Sequence, residues 1–84
     1  MIKYVEKEVI KIEIAKTIKK YRKKNGMTQK QLAQETGLSI ATIQGYEQGK
    51  YLPKIDSLKK ISFALGITDW RVLHGASDEE VIEY

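Results

Sequence analysis

The sequence lacks several residue types and patterns that major protein classes require. The 84-residue chain has no cysteine and one histidine. The absence of cysteine excludes disulfides and thiolate metal sites and is compatible with a reducing cytoplasm, the expected location. With a single histidine, His74, we expect no metal, no cofactor and no enzyme activity. The longest apolar run, residues 63–65, is three residues long and cannot span a membrane. Glu6 and Glu8 interrupt the apolar stretch that a signal peptide needs.

Positive charge is concentrated in one part of the chain. The net charge is +4: residues 1–27 carry nine Lys or Arg against three Glu, and residues 28–52 are balanced. Residues 53–75 carry four basic and two acidic groups, whereas residues 76–84 carry four acids and no base. The excess of basic residues in residues 1–27 and 53–75 favours a polyanionic partner. Lysine is also an ordinary solubilising residue, so charge alone does not decide between the two interpretations.

One local pattern recurs three times: a glycine, an apolar residue, and then a threonine or serine. Glycine can adopt the left-handed conformation that ends a helix, the apolar residue packs back on the last turn, and the hydroxyl caps the next helix. Gln31, three residues after Thr28, completes a capping box. The pattern therefore predicts four helices joined by very short turns. Its three copies are Gly26-Met27-Thr28, Gly37-Leu38-Ser39 and Gly66-Ile67-Thr68.

Helical periodicity and Pro53 together raise the predicted number of helices to five. Apolar residues recur at spacings of three and four between the glycines, as in Ile14, Ile18 and Tyr21. Pro53 forbids a continuous helix and separates the third helix from the fourth. A short fifth helix is predicted after Thr68. We therefore predict an all-α, five-helix domain over residues 13–75.

Residues 1–12 and 76–84 are predicted to lie outside this bundle. If helix one began at the N-terminus, its early apolar residues would lie opposite Ile14 and Ile18, and one straight helix cannot bury both faces in a small chain. We therefore predict a break near residues 11–13, and the Ile, Val and Tyr content before it favours a strand. Residues 76–84 are predicted to be an acidic tail. The early apolar residues are Ile2, Val5, Val9 and Ile12.

Helices two and three have the length and turn chemistry of a helix-turn-helix, whose second helix enters the DNA major groove. The wider pattern is Thr28-Gln29-x-x-Leu32-Ala33-x-x-x-Gly37-Leu38-Ser39-x-x-Thr42-Ile43-x-x-Tyr46-Glu47-x-Gly49-x-x-x-Pro53, continued by Leu58-x-x-Ile61-x-x-x-Leu65-Gly66. It resembles the phage repressor and Cro family, also called the xenobiotic-response-element family, over roughly residues 13–75. The resemblance implies a lambda-repressor-like bundle that binds double-stranded DNA.

The resemblance also implies roles for residues of the recognition helix, which is predicted near residues 39–48. Gln44 is the expected main reader, because an amide can pair with adenine N6 and N7. Ile40 and Ala41 offer apolar contact to a thymine methyl, although packing between helices is an alternative role for Ile40. Gly45 is also groove-facing but has no side chain where many members carry a polar reader, so DNA shape is expected to contribute. Phosphate contacts are expected from Gln29, Ser39, Thr42, Lys50, Tyr51 and Lys54.

Two further pairs of residues receive roles from the resemblance. Arg22 is expected to pair with Glu47 between helix one and the end of helix three, and to set the angle of the recognition helix. Phe63 lies about 140° from the apolar stripe of helix four, and Trp70 lies off the apolar face of helix five. We expect these aromatics either to join two protomers or to be covered by the N-terminal segment.

Two functions follow from these expectations. The first is a dimeric transcriptional repressor that acts by occupying its DNA site. The second is a DNA-binding antitoxin or protein-interaction module whose partner protein is bound by residues 1–12 and 76–84. An enzyme is not expected, since the sequence has no phosphate-binding loop and no paired acids in a plausible cleft.

Overall fold

The computed structural model describes residues 7–69 and residue 73, and residues 7–69 form four helices. Helix α1 spans Lys7–Lys24, α2 spans Gln29–Thr36, α3 spans Ile40–Glu47 and α4 spans Ile55–Ala64. Helix α3 packs against α1 and α2, and α2 also packs against α4. The core between them is apolar. Its fully buried side chains are Ile14, Ile18, Leu32, Ile43, Leu58, Ile61 and Leu73.

The prediction of five helices is wrong, because the described part of the chain contains four. The sequence after α4 offers one cap, Thr68, and a single short apolar pair, which is too little periodicity to specify a helix. The residues assigned to it lie largely outside the described residues, as does the tail at 76–84. Leu73, which is described, is fully buried in the core.

The predicted break near residues 11–13 is also wrong, because α1 is continuous from Lys7 to Lys24. Residues 7–12 are therefore helical rather than a strand, and the predicted domain boundary at residue 13 falls inside α1. Residues 1–6 lie outside the described residues. The prediction assumed that both apolar faces of one helix must be buried. Instead, α1 buries Ile14 and Ile18 and leaves Val9 and Ile12 about half exposed, at 47% and 48%.

The start of α2 and the turn between α2 and α3 follow the chemistry that the glycine triplets predict. The Thr28 hydroxyl accepts a hydrogen bond from Gln31 N, and the Gln31 side chain accepts one from Thr28 N, which confirms the capping box. Gly37 ends α2 with a φ of +75°, a left-handed conformation that side chains disfavour. Ser39 then caps α3 by accepting a hydrogen bond of 3.0 Å from Thr42 N. The joint between the two helices is therefore only three residues long, with a cap at each end.

Two side chains, those of Asn25 and Tyr46, supply hydrogen bonds that link α4 to the end of α1 and to α3. Asn25 Nδ2 donates to the carbonyl oxygens of Tyr21, at the end of α1, and of Leu65, at the end of α4. The Tyr46 hydroxyl of α3 donates to Ser57 Oγ of α4 at 3.2 Å. These bonds tie α4 to the end of α1 and to α3.

Candidate nucleic-acid interface

Helix α3 has one exposed side and one buried side. Ile43 and Tyr46 lie in the core, whereas Ala41 and Gln44 are exposed. Ile40 is 40% exposed, so it contributes to the surface and is not part of the buried core. Residues 40 and 44 are one helical turn apart and residue 41 lies beside them, so the three side chains share one side of the helix. This exposed strip therefore combines two apolar side chains, Ile40 and Ala41, with the amide of Gln44.

Gly45 is placed differently from the other expected reader positions. It is buried, and the ring of Tyr51 lies over it. A Cβ atom at residue 45 would lie 2.3 Å from Cδ2 and Cε2 of Tyr51. Tyr51 itself is 57% exposed. The surface at this end of the strip is therefore provided by the Tyr51 ring rather than by residue 45.

Most of the residues expected to contact phosphate lie at the start of α3 and in the segment that follows it. Ser39 and Thr42 share a hydrogen bond of 2.8 Å between their hydroxyl oxygens at the N-terminus of α3. Lys50 and Lys54 are exposed. Lys54 is the N-cap residue of α4, but its side chain makes no capping hydrogen bond. Both ammonium groups are therefore available to an anion. Helix N-termini add partial positive charge to this side of the protein.

Arg22 and Glu47 form a buried bidentate ion pair. Arg22 Nε donates to Glu47 Oε2 at 2.6 Å, and Nη2 donates to Oε1 at 2.9 Å. The side chains of Arg22 and Glu47 are 10% and 2% exposed. The hydrogen bonds to Glu47 raise the pKa of the Arg22 guanidinium, although burial opposes this shift. The arginine therefore keeps its charge throughout the ordinary pH range.

The ion pair is the centre of a larger network that joins three helices. Gln29 Nε2, at the first residue of α2, donates to Glu47 Oε1 at 3.1 Å. Arg22 Nη1 donates to the Met27 carbonyl oxygen at 2.8 Å in the turn after α1. Glu47 is the last residue of α3, so the network fastens the end of this helix to α1 and α2. The amide of Gln29 has a second hydrogen, which this network does not use.

Sequence reasoning did not anticipate that Gln29 contacts Glu47 or that Tyr51 covers Gly45. The first contact has no local signature, because it depends on how α2 meets α3. The second had a detectable signal. Glycine inside a helix costs about 1 kcal/mol relative to alanine, so its presence at residue 45 indicates a close approach by another group.

A second surface feature lies at the end of α4. Phe63 is 88% exposed, as its position off the apolar stripe predicts. It borders a shallow depression, and Trp70, its expected companion, lies outside the described residues. The depression is lined by Lys59, Ser62, Phe63, Gly66, Ile67 and Thr68.

The basic run at the end of α1 is partly engaged with an aromatic ring. The ammonium groups of Lys20 and Lys24 lie 6.0 and 5.8 Å from the centre of the Tyr21 ring. Lys23 and Lys24 also lie in the last turn, where cations stabilise the helix dipole. In the described part of the chain, no group of His, Cys, Asp or Glu is arranged to hold a metal ion. Of the helices described, none is long and apolar enough to cross a membrane.

Two short helices joined by a capped left-handed turn, with the second exposed on one side, define a helix-turn-helix DNA-binding domain. The model of the helix-turn-helix family HTH_3 matches residues 18–70, and the chain belongs to this family. Membership confirms the resemblance to phage repressors and Cro. It also confirms the interpretation of the chain as a DNA-binding regulator rather than an enzyme.

Three similar proteins illustrate the family. An HTH-type transcriptional regulator of Methanothermobacter thermautotrophicus is 39% identical over 49 residues, which cover 58% of this chain and 71% of that protein. The cryptic phage CTXphi transcriptional repressor RstR of Vibrio cholerae is 37% identical over 57 residues. That match covers 68% of this chain, which spans about half of RstR (51%). The restriction-modification controller protein C.AhdI of Aeromonas hydrophila superposes with a TM-score of 0.71 at 25% identity, covering 75% of this chain and 94% of C.AhdI.

Proposed function

We propose that this chain is a dimeric transcriptional repressor that reads double-stranded DNA by placing α3 in the major groove. The observation that carries the proposal is the exposed strip of Ile40, Ala41 and Gln44 on a helix whose other side is fixed in the core. Gln44 can pair with adenine N6 and N7, and the two apolar side chains can contact thymine methyl groups. A reader must be held rigidly, and the Arg22–Glu47 network supports that requirement.

Phosphate contacts flank this strip in the proposed complex. The hydroxyl groups of Ser39 and Thr42 and the free amide hydrogen of Gln29 are suitable donors, and Lys50 and Lys54 supply charge. Two lysines per protomer give about four neutralised phosphates per dimer, and thus a slope of about −3.6 for log K against log salt. This moderate dependence is expected because residues 28–52 carry no net charge.

Repression is supported by the relatives, one of which is a phage transcriptional repressor and another a restriction-modification controller protein. In the proposed mechanism, two recognition helices occupy half-sites about 34–36 Å apart on one side of the DNA and block a promoter. The contact between two protomers is assigned to Phe63 together with the depression beside it, which includes Ile67, because contiguous exposed apolar surface is typical of protein interfaces.

The proposal is tested by selecting bound duplexes from a random pool at a stated salt concentration. Wild-type protein should enrich two half-sites with adenine at one fixed position. The variant Gln44→Ala should lose preference at that position alone, because one amide contact is removed and the fold is unchanged. Gln34→Ala, which alters an exposed glutamine on α2, is the matched control. A preference that survives Gln44→Ala unchanged would reject Gln44 as the reader, and affinity independent of salt would reject phosphate contacts.

A further inference from the structure

Tyr51 fills the space that a side chain at residue 45 would occupy. A Cβ atom on Gly45 would come within 2.3 Å of two ring carbons of Tyr51. This distance is much shorter than the separation of roughly 3.5–4.0 Å at which carbon atoms pack. These carbons belong to the body of a rigid ring, so the whole ring would have to move to admit a methyl group. The ring therefore rests directly on the backbone of α3.

The backbone after α3 brings Tyr51 to this position. Gly49 has a φ of +74° and donates its N–H to the Tyr46 carbonyl oxygen at 3.2 Å, while Lys50 N donates to the Gly45 carbonyl oxygen at 2.9 Å. This pair of hydrogen bonds is the Schellman motif, which turns the chain back along the helix it has just left. The next residue, Tyr51, is thereby set beside Gly45.

The outer side of the Tyr51 ring is available to a ligand. Tyr51 is 57% exposed even though it covers Gly45. Residues 41 and 45 are four apart and lie on one side of α3, and Ala41 is exposed and short. The ring thus extends the strip formed by Ile40, Ala41 and Gln44 at the point where the helix itself has no side chain.

On the basis of the proposed function, we propose that Tyr51 is a specificity-determining residue that reads one base pair next to those read from α3, in place of a side chain at residue 45. An aromatic ring can contact a thymine methyl group, and a phenol can donate to or accept from a base edge in the major groove. The competing role is a phosphate contact. Loss of a phosphate contact weakens binding to all sequences equally, whereas loss of a base contact relaxes the preference at one base pair.

The test compares base preferences of the wild type, Tyr51→Ala, Gly45→Ala and the double variant, by selection from random duplexes at one salt concentration. Tyr51→Ala should relax the preference at one base pair about tenfold. Gly45→Ala should relax the same base pair, because its methyl group displaces the ring. The double variant should show no further loss, since both changes remove one contact. Alanine favours helix over glycine, so thermal unfolding should show that Gly45→Ala remains folded.

Leu52→Ala, which alters the next exposed residue, is the control and should leave this base preference intact. An unchanged preference in Tyr51→Ala, or an equal loss of affinity for every sequence, would overturn the role assigned to Tyr51 and leave the proposed function standing. If the wild type enriched no sequence at all, the proposed function would fail and the role of Tyr51 with it.

Discussion

Replacing Glu47 with glutamine is the most informative perturbation of the buried network. Glutamine has nearly the same shape as glutamate, but it replaces one acceptor oxygen with a donor that faces the Arg22 guanidinium. The guanidinium keeps its charge in this variant, because the ordinary pKa of arginine already lies far above neutral pH, while its ionic partner is lost. Only one of its two hydrogen bonds to residue 47 is retained. A buried charge without its partner is costly because neither water nor a counter-charge stabilises it.

The expected loss of unfolding free energy follows from the burial of the pair. With side chains 10% and 2% exposed, the pair is nearly removed from water. Removing one partner of such a pair costs about 3–5 kcal/mol, and the remaining amide oxygen places Glu47→Gln near the lower value. For a domain of this size, a loss of about 3 kcal/mol lowers the melting temperature by roughly 12–24 °C.

Urea and thermal unfolding monitored by circular dichroism measure this effect. The matched control is Glu35→Gln, which removes the same charge from an exposed position on α2 and should change stability by less than about 0.5 kcal/mol. Below the melting temperature, Glu47→Gln should also bind DNA more weakly, because the end of α3 is no longer fastened to α1 and α2. Equal stability of the two variants, with unchanged DNA affinity for Glu47→Gln, would refute the role of the network.

Three further substitutions test other parts of the structure. Ser39→Ala removes the N-terminal cap of α3 and should lower the free energy of unfolding by about 1 kcal/mol in urea titrations; no loss would show that the cap is dispensable. Ser62→Ala should raise the free energy of unfolding by about 0.5–1 kcal/mol, because alanine favours helix and the buried Ser62 hydroxyl has no hydrogen-bond partner among the described residues. A decrease would indicate an unrecognised partner. Phe63→Lys should convert a sedimenting dimer to a monomer that still unfolds cooperatively, with a melting temperature that no longer depends on protein concentration; a wild type that is monomeric with and without DNA would refute the dimer.

The local features of the fold were predictable because each depends on a few neighbouring residues. The turn at Gly37 and the cap at Ser39 follow from backbone conformation and one hydroxyl group. The buried positions of Leu32 and Ile43 follow from helical spacing. In contrast, the continuity of α1 depends on how much apolar surface the chain leaves in water. Val9 and Ile12 show that a helix can leave a second apolar face about half exposed.

The exposure of a candidate-site side chain was predictable only where its position along a single helix determines it. Gln44 lies on the side of α3 opposite the core, so spacing alone places it at the surface. The position of Tyr51 depends on Gly49, which turns the chain back, and on Gly45, which admits the ring. The bond between Gln29 and Glu47 depends on the packing of two helices. Contacts of this kind require the folded geometry, because they join elements whose relative placement no local pattern specifies.

The most direct test of the central claim, that α3 reads DNA in the major groove, uses DNA in which single adenines of the selected site are replaced by 7-deazaadenine. Nitrogen N7 is exposed only in the major groove. At the adenine read by Gln44, the replacement should weaken binding of the wild type about five- to tenfold and should have no effect on Gln44→Ala. If 7-deazaadenine weakened binding at no position, while removal of the guanine N2 amino group from the minor groove did, the account would be contradicted.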